Sequence, residues 1–505
     1  SATDSVIGTV YTGSMNVKIP AGQLDNNDTI TGGTGTGDML TITAGAALTT
    51  TDMSKVSKVE TYKMADDSAV QSITLHDVNI ASSESLTIDA TLMATSALTV
   101  VGTAETNGSL TVIGGGGDDL ITGTASSSGD TLNGNSGADT FSFVAANLSA
   151  LDTVSGGTGT DNILLLGTAV GTVTDADLTG VTSIETFNSH NGNLTLTLDA
   201  QASEAGIKTV NLVSSGNTNV VTVGAGMENA LKLTLTGNTD TISAAAYTKA
   251  LTVTAAEASL TSADTITGGT GADTLSVTFS GTALSASDVS KVSKIETISS
   301  ATNAIGGLTL GDVNIAKDGT LTVNAAKNTS AAFTLDASAE LDGSIVYVGG
   351  GGVDTVTGGA KADTIGGGAG ADVLTGNKGV DTITGGAAAD QFTFTNADQS
   401  NTSGSDVLVD YLTGTDKIVI TLDQSAKTIS QTFDATVNVA AAGVAAVQGG
   451  LSGSLGQATF DTTNNQLIVN ANADNLVTTL DYVVNIPAAA TAANSIVEGD
   501  INYVI

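Results

Sequence analysis

The sequence predicts an all-β protein, a right-handed parallel β-roll or β-solenoid with a β-rich cap in its C-terminal region. Three observations support this fold class: a nine-residue repeat, strand-like alternation between the repeats, and a composition suited to strands and turns. Val, Ile, Leu and Thr dominate, while Gly occurs 61 times and Pro 2 times. β-Branched residues favour strands and glycine favours tight turns. The composition is therefore typical of many short strands joined by turns.

The strongest pattern is a run of five nine-residue units at 349–393, which we call the main array. The units read GGGGVDTVT, GGAKADTIG, GGAGADVLT, GNKGVDTIT and GGAAADQFT. Each follows the GGxGxDxUx pattern of calcium-binding nonapeptides. The sixth place is aspartate in every unit: Asp354, Asp363, Asp372, Asp381 and Asp390. The eighth place is apolar: Val356, Ile365, Leu374, Ile383 and Phe392.

Each place in the unit has a physical reason. Glycine permits the unusual backbone angles of a tight turn, in which several carbonyl groups can converge on a cation. The aspartate adds a carboxylate, and calcium accepts about 6–8 oxygen ligands of both kinds. The apolar residue points inward from a short strand. Two units therefore make one coil, and each ion bridges neighbouring turns, so that no single repeat is stable alone.

Weaker copies of the unit occur upstream of the main array. GGGGDDLIT at 114–122 and GNSGADTF at 134–141 flank a degenerate turn, and together they supply Asp119, Asp130 and Asp139. Two-turn forms occur at 27–40, 151–163 and 263–275. Their aspartate pairs are Asp28 and Asp38, Asp152 and Asp161, and Asp264 and Asp273. The first pair is spaced by ten residues instead of nine, so its site is the least regular. The Phe pairs that close both arrays are expected to complete the core.

A longer period underlies these motifs. TLHDVNI at 74–80 recurs as TLGDVNI at 309–315, and NGSLTVIGGGGDD at 107–119 recurs at the same offset as DGSIVYVGGGGVD at 342–354. The segments SKVSKVET, TGVTSIET and SKVSKIET each follow a two-turn form. We predict short helices near 52–57 and 288–293, with Asp52 and Asp288 as N-caps. The predicted segments are an N-terminal strand segment (1–27), three β modules (28–145, 146–263 and 264–395) and a C-terminal cap and secretion or assembly region (396–505).

Charge and composition exclude several classes of protein. The formal net charge is −36 and all 15 basic residues are lysine, so nucleic acid and anionic membrane surfaces are not expected partners. With 40% hydrophobic and 13% charged residues, the chain does not have the composition of a disordered protein. Cysteine is absent, which excludes disulfides and thiol catalysis. No apolar run is long enough for a transmembrane segment, and the first residues do not resemble a Sec-type signal peptide.

The tandem units, the TGTDKIVI segment that follows them and the acidic–apolar C-terminus resemble RTX proteins secreted by type I systems. With the interleaved SKVSKIET-type segments, the chain resembles RTX-type bacterial surface-layer (S-layer) proteins. The resemblance implies a secreted cell-surface protein in a calcium-held lattice of its own copies, often attached to lipopolysaccharide. It implies that the sixth-place aspartates bind calcium, together with the carbonyl groups of Gly349, Gly358, Gly367, Gly376 and Gly385. Asp410 and Asp416 are weaker candidates.

Two other classes of function remain open from the sequence. An RTX adhesin or filament-forming matrix protein is the first alternative, and a secreted RTX enzyme is the second. We expect no enzyme, because HExxH and GxSxG motifs are missing and the two histidines, His76 and His190, are far apart. The recurring Glu60, Glu185 and Glu296 either bind calcium, pair with lysines such as Lys58 and Lys294, or simply recur with the module.

Overall fold

The computed structural model describes residues 3–43, 47–65, 70–166, 171–189, 192–212, 218–237, 239–395, 404–412 and 415–421, together with the short strands of the C-terminal region. The chain divides into two units. Unit 1 comprises Ser1–Leu251 with Gly269–Gly271, and unit 2 comprises Thr252–Gly268 with Ala272–Ile505. The five segments drawn from the sequence remain a prediction.

Unit 1 is a parallel β-solenoid, because strands from successive coils pair side by side in stacks. One stack contains Asn16–Ile19, Met39–Ile42, Thr61–Met64, Ser85–Asp89, Ser109–Ile113, Thr131–Asn133, Thr153–Ser155 and Val181–Thr182. A second contains Ala47–Leu48, Gln71–Thr74, Leu98–Val101, Leu120–Thr122, Thr140–Val144, Asn162–Leu166, Thr186–Asn188, Thr209–Asn211 and Leu231–Thr234. Two shorter stacks are present. One contains Ser5–Ile7, Thr29–Thr31 and Val56–Ser57. The other contains Gly171–Val173, Leu194–Leu198, Thr218–Val223 and Thr239–Ser243.

Unit 2 has the same architecture. Its first stack contains Leu251–Ala256, Thr274–Thr278, Thr297–Ser300, Thr320–Asn324, Ser344–Val348, Thr364–Ala369, Thr382–Ala387 and Asp406–Leu408. Its second contains Ala283–Leu284, Gly306–Thr309, Phe333–Asp336, Thr355–Thr357, Val373–Thr375, Gln391–Phe394, Lys417–Thr421 and Ile501–Val504. Thr265–Thr267 pairs with Val292–Ser293. The remaining strands are Asn438–Ala440, Ala458–Asp461, Gln466–Val469 and Tyr482–Asn485. Gln466–Val469 pairs antiparallel with both Ala458–Asp461 and Tyr482–Asn485.

The register of the main array confirms that two nonapeptides form one coil. Thr355 pairs with Val373, and Val373 pairs with Gln391, so each step along this stack spans two units of the repeat. Thr364 pairs with Thr382 in the other stack with the same step. Successive units therefore alternate between the two stacks, and each aspartate lies in a turn directly beside the aspartate two units later.

The core forms between the stacks from the apolar residue of each unit. The eighth-place side chains Val356, Ile365, Leu374, Ile383 and Phe392 are at most 1% exposed. The closing pairs Phe141 and Phe143, and Phe392 and Phe394, are at most 2% exposed, as predicted. Each such side chain contributes about 1.5–3 kcal/mol by leaving water. The inward-facing role of both sets is confirmed.

Helices are short, and the sequence predicted them only in part. The α-helices are Thr50–Met53 and Ala200–Ala205, and 3₁₀ turns occur at Ala21–Gln23, Ala145–Asn147, Asp175–Leu178 and Glu257–Ser259. In the first helix the N-cap is Thr49, so the prediction of Asp52 as the N-cap was wrong; Asp52 is the third helical residue and completes a capping box with Thr49. No helix forms near 288–293, where a turn leads into Val292–Ser293, so that prediction was wrong. Among the described residues, no helix is both long and apolar enough to cross a membrane.

Candidate metal centre

The candidate aspartates of the two arrays and of the two-turn forms are all buried in turns between strands. Each of these side chains is at most 3% exposed. They are Asp28, Asp38, Asp119, Asp130, Asp139, Asp152, Asp161, Asp264, Asp273, Asp354, Asp363, Asp372, Asp381 and Asp390. Charged residues are almost never fully buried unless they are paired, so this burial needs a compensating interaction.

The aspartates of the main array form two columns that run from coil to coil. In the first column the Oδ1 atoms of Asp372, Asp390 and Asp416 accept the backbone N–H of Asp354, Asp372 and Asp390, at 2.7, 2.9 and 3.0 Å. In the second column the Oδ1 atoms of Asp381 and Asp406 accept the backbone N–H of Asp363 and Asp381, at 2.7 and 2.9 Å. One oxygen of each carboxylate is thus fixed by the preceding coil.

The earlier motifs form the same kind of column. The Oδ1 atoms of Asp139 and Asp161 accept the backbone N–H of Asp119 and Asp139, each at 2.8 Å. In the neighbouring column Asp152 accepts the backbone N–H of Asp130, also at 2.8 Å. The run at 114–141 and the two-turn form at 151–163 are therefore parts of one continuous arrangement.

The recurring glutamates end these columns. Glu60, Glu185 and Glu296 accept the backbone N–H of Asp38, Asp161 and Asp273, at 2.7, 2.9 and 2.7 Å. Each glutamate therefore occupies the place of the next aspartate in the column. The described residues show no ion pair at Lys58 or Lys294, whose φ angles are positive, at 55° and 53°. In the sequence, the signal for this capping role was the recurrence of a glutamate in the segment that follows each two-turn form.

Replacing Glu296 with alanine is expected to destabilise unit 2, because the buried N–H of Asp273 then loses its acceptor. Hydrogen bonds to charged groups contribute about 1.5–3 kcal/mol, so Glu296→Ala should lower the free energy of unfolding by that amount. Chemical denaturation in saturating calcium measures the change. Glu296→Gln is the matched control, because it keeps an acceptor oxygen. An equal loss in both variants would contradict the capping role.

The turns fall into different kinds according to whether the second oxygen of the aspartate, Oδ2, accepts a hydrogen bond. In five turns, which we call open turns, Oδ2 is buried and has no hydrogen-bond partner: those of Asp139, Asp161, Asp372, Asp381 and Asp390. The residue four places earlier has positive φ in each: Asn135, Gly157, Gly368, Asn377 and Gly386, at 68°, 98°, 103°, 71° and 107°. A positive φ rotates the N–H away from the carboxylate. The N–H of Gly386, for instance, is donated to Asp410 Oδ2 at 2.8 Å.

In closed turns a backbone N–H reaches Oδ2 instead. The carboxylates of Asp119, Asp354 and Asp363 accept the N–H four residues earlier, from Gly115, Gly350 and Gly359, at 3.0, 3.3 and 2.7 Å. Asp38 accepts from Gly33, five residues earlier, at 2.6 Å. The ten-residue spacing of the first pair is therefore absorbed by one extra residue in the turn. Asp354 also accepts the hydroxyl of Tyr347 at 2.8 Å.

A third group of aspartates lies in turns that lack the glycine pattern, and there too a backbone N–H is donated to the second carboxylate oxygen. Oδ2 of Asp28, Asp152 and Asp264 accepts the N–H three residues earlier, at 2.9, 2.8 and 2.7 Å. Asp130 accepts the N–H and the hydroxyl of Thr124. These four aspartates are predicted ligands that the structure places in buried corners and not in glycine-rich turns. Their assignment as calcium ligands stays a prediction.

The glycine carbonyl groups converge on the carboxylates. At Gly367, the point where a Cβ would stand is 2.3 Å from Asp372 Oδ2 and 2.7 Å from the carbonyl oxygen of Gly385. At Gly358, that point is 2.5 Å from Asp363 Oδ2 and 2.4 Å from the oxygen of Gly376. At Gly349, the oxygen of Gly367 lies 1.8 Å away. A side chain would fill this space, so glycine leaves room where carboxylate and carbonyl oxygens meet.

Burial raises the pKa of these carboxyl groups, because it disfavours their charged form. Burial and then the charge of Asp406 raise the pKa of Asp381 to about 9. Burial raises the pKa of Asp139 to about 7 and those of Asp130, Asp363 and Asp372 to about 6. Without a cation these buried carboxyl groups therefore resist ionisation, and a bound cation would favour their charged form.

The donor set fits calcium. Open turns present buried carboxylate oxygens without partners beside glycine carbonyl groups, and calcium binds both kinds of oxygen. Bound calcium would supply the missing positive charge. Asp372, Asp381 and Asp390 are the best-placed candidate ligands in the main array, and Asp139 and Asp161 are their counterparts in unit 1. In the capping segment, Asp416 extends a column, whereas the exposed Asp410 accepts the N–H groups of Gly385 and Gly386.

Comparison with known proteins supports the same assignment. A family model described as RTX calcium-binding nonapeptide repeat (4 copies) matches residues 260–276, 348–383 and 366–394. The matched residues include both aspartates of the third two-turn form and the whole main array. No curated protein matches the chain. The chain thus carries RTX repeats that bind multiple calcium ions, which supports a calcium-binding protein of the extracellular type.

Proposed function

We propose that the protein is a structural component of a bacterial cell surface, secreted by a type I system, that folds on extracellular calcium and assembles into an S-layer lattice. The observation that carries this proposal is the distribution of the carboxylate columns. Columns occur in unit 1, at Asp119 to Glu185, and in unit 2, at Asp354 to Asp416. Calcium bound at both columns would act in each of the two units, which supports a structural role better than a single calcium-bound tail would.

Calcium would gate the folding of this chain. Cytosolic calcium is too low to fill such sites, and the net charge of −36 then opposes compaction. Outside the cell, calcium binds the folded form, so its binding free energy contributes directly to folding. An unfolded chain before export and a folded chain after it would suit a protein that works at the cell surface.

We also propose that the protein is not an enzyme. His76 lies in a turn, where its Nδ1 accepts the N–H of Val78 at 3.2 Å, and His190 lies outside the described residues. A second copy of the chain is the expected partner, with lipopolysaccharide or another surface glycan as the expected anchor.

Imaging tests the lattice proposal. The purified full chain is dialysed from chelator into millimolar calcium and examined by electron microscopy, with magnesium at the same concentration as the control. We expect ordered two-dimensional sheets in calcium alone. Filaments would favour the adhesin or matrix alternative, and dispersed folded monomers would reject self-assembly. A hydrolase activity screen on the same sample tests the enzyme alternative.

A further inference from the structure

Three acidic side chains outside the nonapeptide turns meet in unit 2. Carboxylate oxygens of Asp312, Glu340 and Asp342 all lie within 4.8 Å of one another. Asp312 follows the strand Gly306–Thr309, and the other two follow the strand Phe333–Asp336, which pairs with it in parallel one coil later. The turns that carry the three acids are therefore stacked. We call these residues the acidic triad.

Backbone hydrogen bonds hold the acidic triad in place. Asp312 Oδ1 accepts the N–H of Leu341 at 2.9 Å. Glu340 Oε1 accepts the N–H groups of Asp342 and Gly343, at 3.2 and 2.9 Å. The carbonyl oxygen of Asp342 accepts the N–H of Asp318 at 2.9 Å. One oxygen of Asp312 and one of Glu340 are thus fixed by the protein, which orients the remaining carboxylate oxygens.

The buried member of the triad lacks a partner. The Glu340 side chain is 0% exposed, and its Oε2 has no hydrogen-bond partner. The ion pairs among the described residues, Lys63 with Asp89 and Lys249 with Glu228, do not involve the triad. A buried polar atom without a partner costs about 1–3 kcal/mol, and more when it is charged. This unpartnered oxygen, on a carboxylate group that lies close to two others, indicates a cation site.

An internal copy of the arrangement occurs earlier in the chain, at the offset that separates TLHDVNI from TLGDVNI. Asp77, Glu105 and Asn107 occupy the equivalent positions. Asp77 Oδ1 accepts the N–H of Thr106 at 3.0 Å, which matches the bond from Leu341 to Asp312. Glu105 is again 0% exposed, with Oε2 unpartnered. Burial, together with the Asp77 carboxylate, raises the pKa of Glu105 to about 7. The copy differs in having an amide where the triad has its third carboxylate.

We propose that Asp312, Glu340 and Asp342 form a calcium site of a second kind, separate from the nonapeptide turns, and that Asp77, Glu105 and Asn107 form a weaker version of it. Carboxylate oxygens are the ligands that calcium prefers, and the exposed Asp312 leaves room for water ligands. Affinity at calcium sites rises with the number of ligand charges. Three carboxylates should therefore bind more tightly than two carboxylates and an amide.

Calcium stoichiometry of the folded full chain tests this site. Equilibrium dialysis with metal analysis should show that Glu340→Gln and Asp342→Asn each bind one calcium ion fewer per chain, at a calcium concentration that fills the acidic triad of the parent but not its weaker first copy. Circular dichroism should show unchanged β content. Asp318→Asn is the matched control, because it removes an exposed charge in the same stacked turns at a positive φ of 58°, which asparagine also tolerates. The control should keep the parent stoichiometry.

A gain-of-charge variant makes the test independent of folding defects. Asn107→Asp completes the first copy and should raise its calcium affinity on the order of tenfold. Asp342→Asn reproduces the natural arrangement of the first copy, so it reports on the site even if Glu340→Gln fails to fold. Parent stoichiometry in Asp342→Asn together with unchanged affinity in Asn107→Asp would overturn the proposal. Equal losses in Asp342→Asn and Asp318→Asn would also overturn it, as a mere effect of net charge.

Discussion

Removal of calcium is expected to unfold the protein at neutral pH. The columns place carboxylates of successive coils next to each other in buried turns, and the Oδ2 atoms of the open turns have no partner in the protein. Without a cation, the mutual repulsion and the cost of burial act against the folded state. Circular dichroism in chelator should show a largely disordered chain, and millimolar calcium should restore the β signal. Full β content in chelator at pH 7.5 would contradict the calcium-gated fold.

Acidification in the same chelator solution is the companion measurement. Folding raises the pKa of Asp381 from 3.8 to about 9 and that of Asp139 to about 7. A group whose pKa is raised by folding stabilises the fold only while it is protonated. The calcium-free fold should therefore be most stable below about pH 4 and lose stability progressively as the pH rises from about 4 to about 9. A stronger β signal at pH 8 than at pH 5 in chelator would refute this.

Neutralising an aspartate of an open turn is expected to cost more calcium than neutralising one in a closed turn. Asp381 and Asp363 are neighbours in one column, are both buried, and each accept a backbone N–H through Oδ1. Oδ2 of Asp381 has no partner, whereas that of Asp363 accepts the N–H of Gly359. Asp381→Asn should lose at least one calcium ion per chain. At about 100 times the dissociation constant, that loss lowers the free energy of unfolding by about 2.7 kcal/mol.

Asp363→Asn is the matched control for this measurement. It removes the same charge from the same column, but the oxygen that it replaces accepts a hydrogen bond from the backbone in the parent protein. We expect Asp363→Asn to retain the calcium stoichiometry and to lose stability through the amide that then faces the N–H of Gly359. Calcium titration and thermal melting of both variants measure the difference. Equal calcium losses would show that open and closed turns bind alike.

The sequence predicted the repeating fold well because the nine-residue period of the coils is visible in the sequence itself. The coil of two repeat units and the inward side chains of the main array follow from the nonapeptide pattern. The difference between open and closed turns could not be predicted. Gly359 and Gly368 occupy the same place in their units, yet only Gly368 has a positive φ. Glycine permits both conformations, so the repeat pattern alone does not determine which one forms.

The sequence showed the recurring glutamates, but it did not show that residues such as these cap the columns. Asp406 and Glu185 carry no GGxGxD signature, and their role follows only from the N–H groups that the preceding coil presents to them. The helix predicted near 288–293 failed for a related reason. Asp288 accepts the N–H and hydroxyl of Ser285, as an N-terminal helix residue would, but the chain enters a strand after one turn. Local capping chemistry does not determine how far a helix continues.

The direction of the hydrogen bonds in the columns makes the two ends of each array unequal. Every buried N–H of the series Asp354, Asp372 and Asp390 needs an acceptor that lies later in the chain, and Asp416 supplies the last one. A coil is therefore incomplete until its successor has formed, whereas it needs nothing from its predecessor in this respect. During synthesis from the N-terminus, the hydrogen bonds of an array cannot all form before its last residues have been made. The newest coil always carries an unsatisfied backbone donor until the residues that close the series exist, which disfavours premature folding.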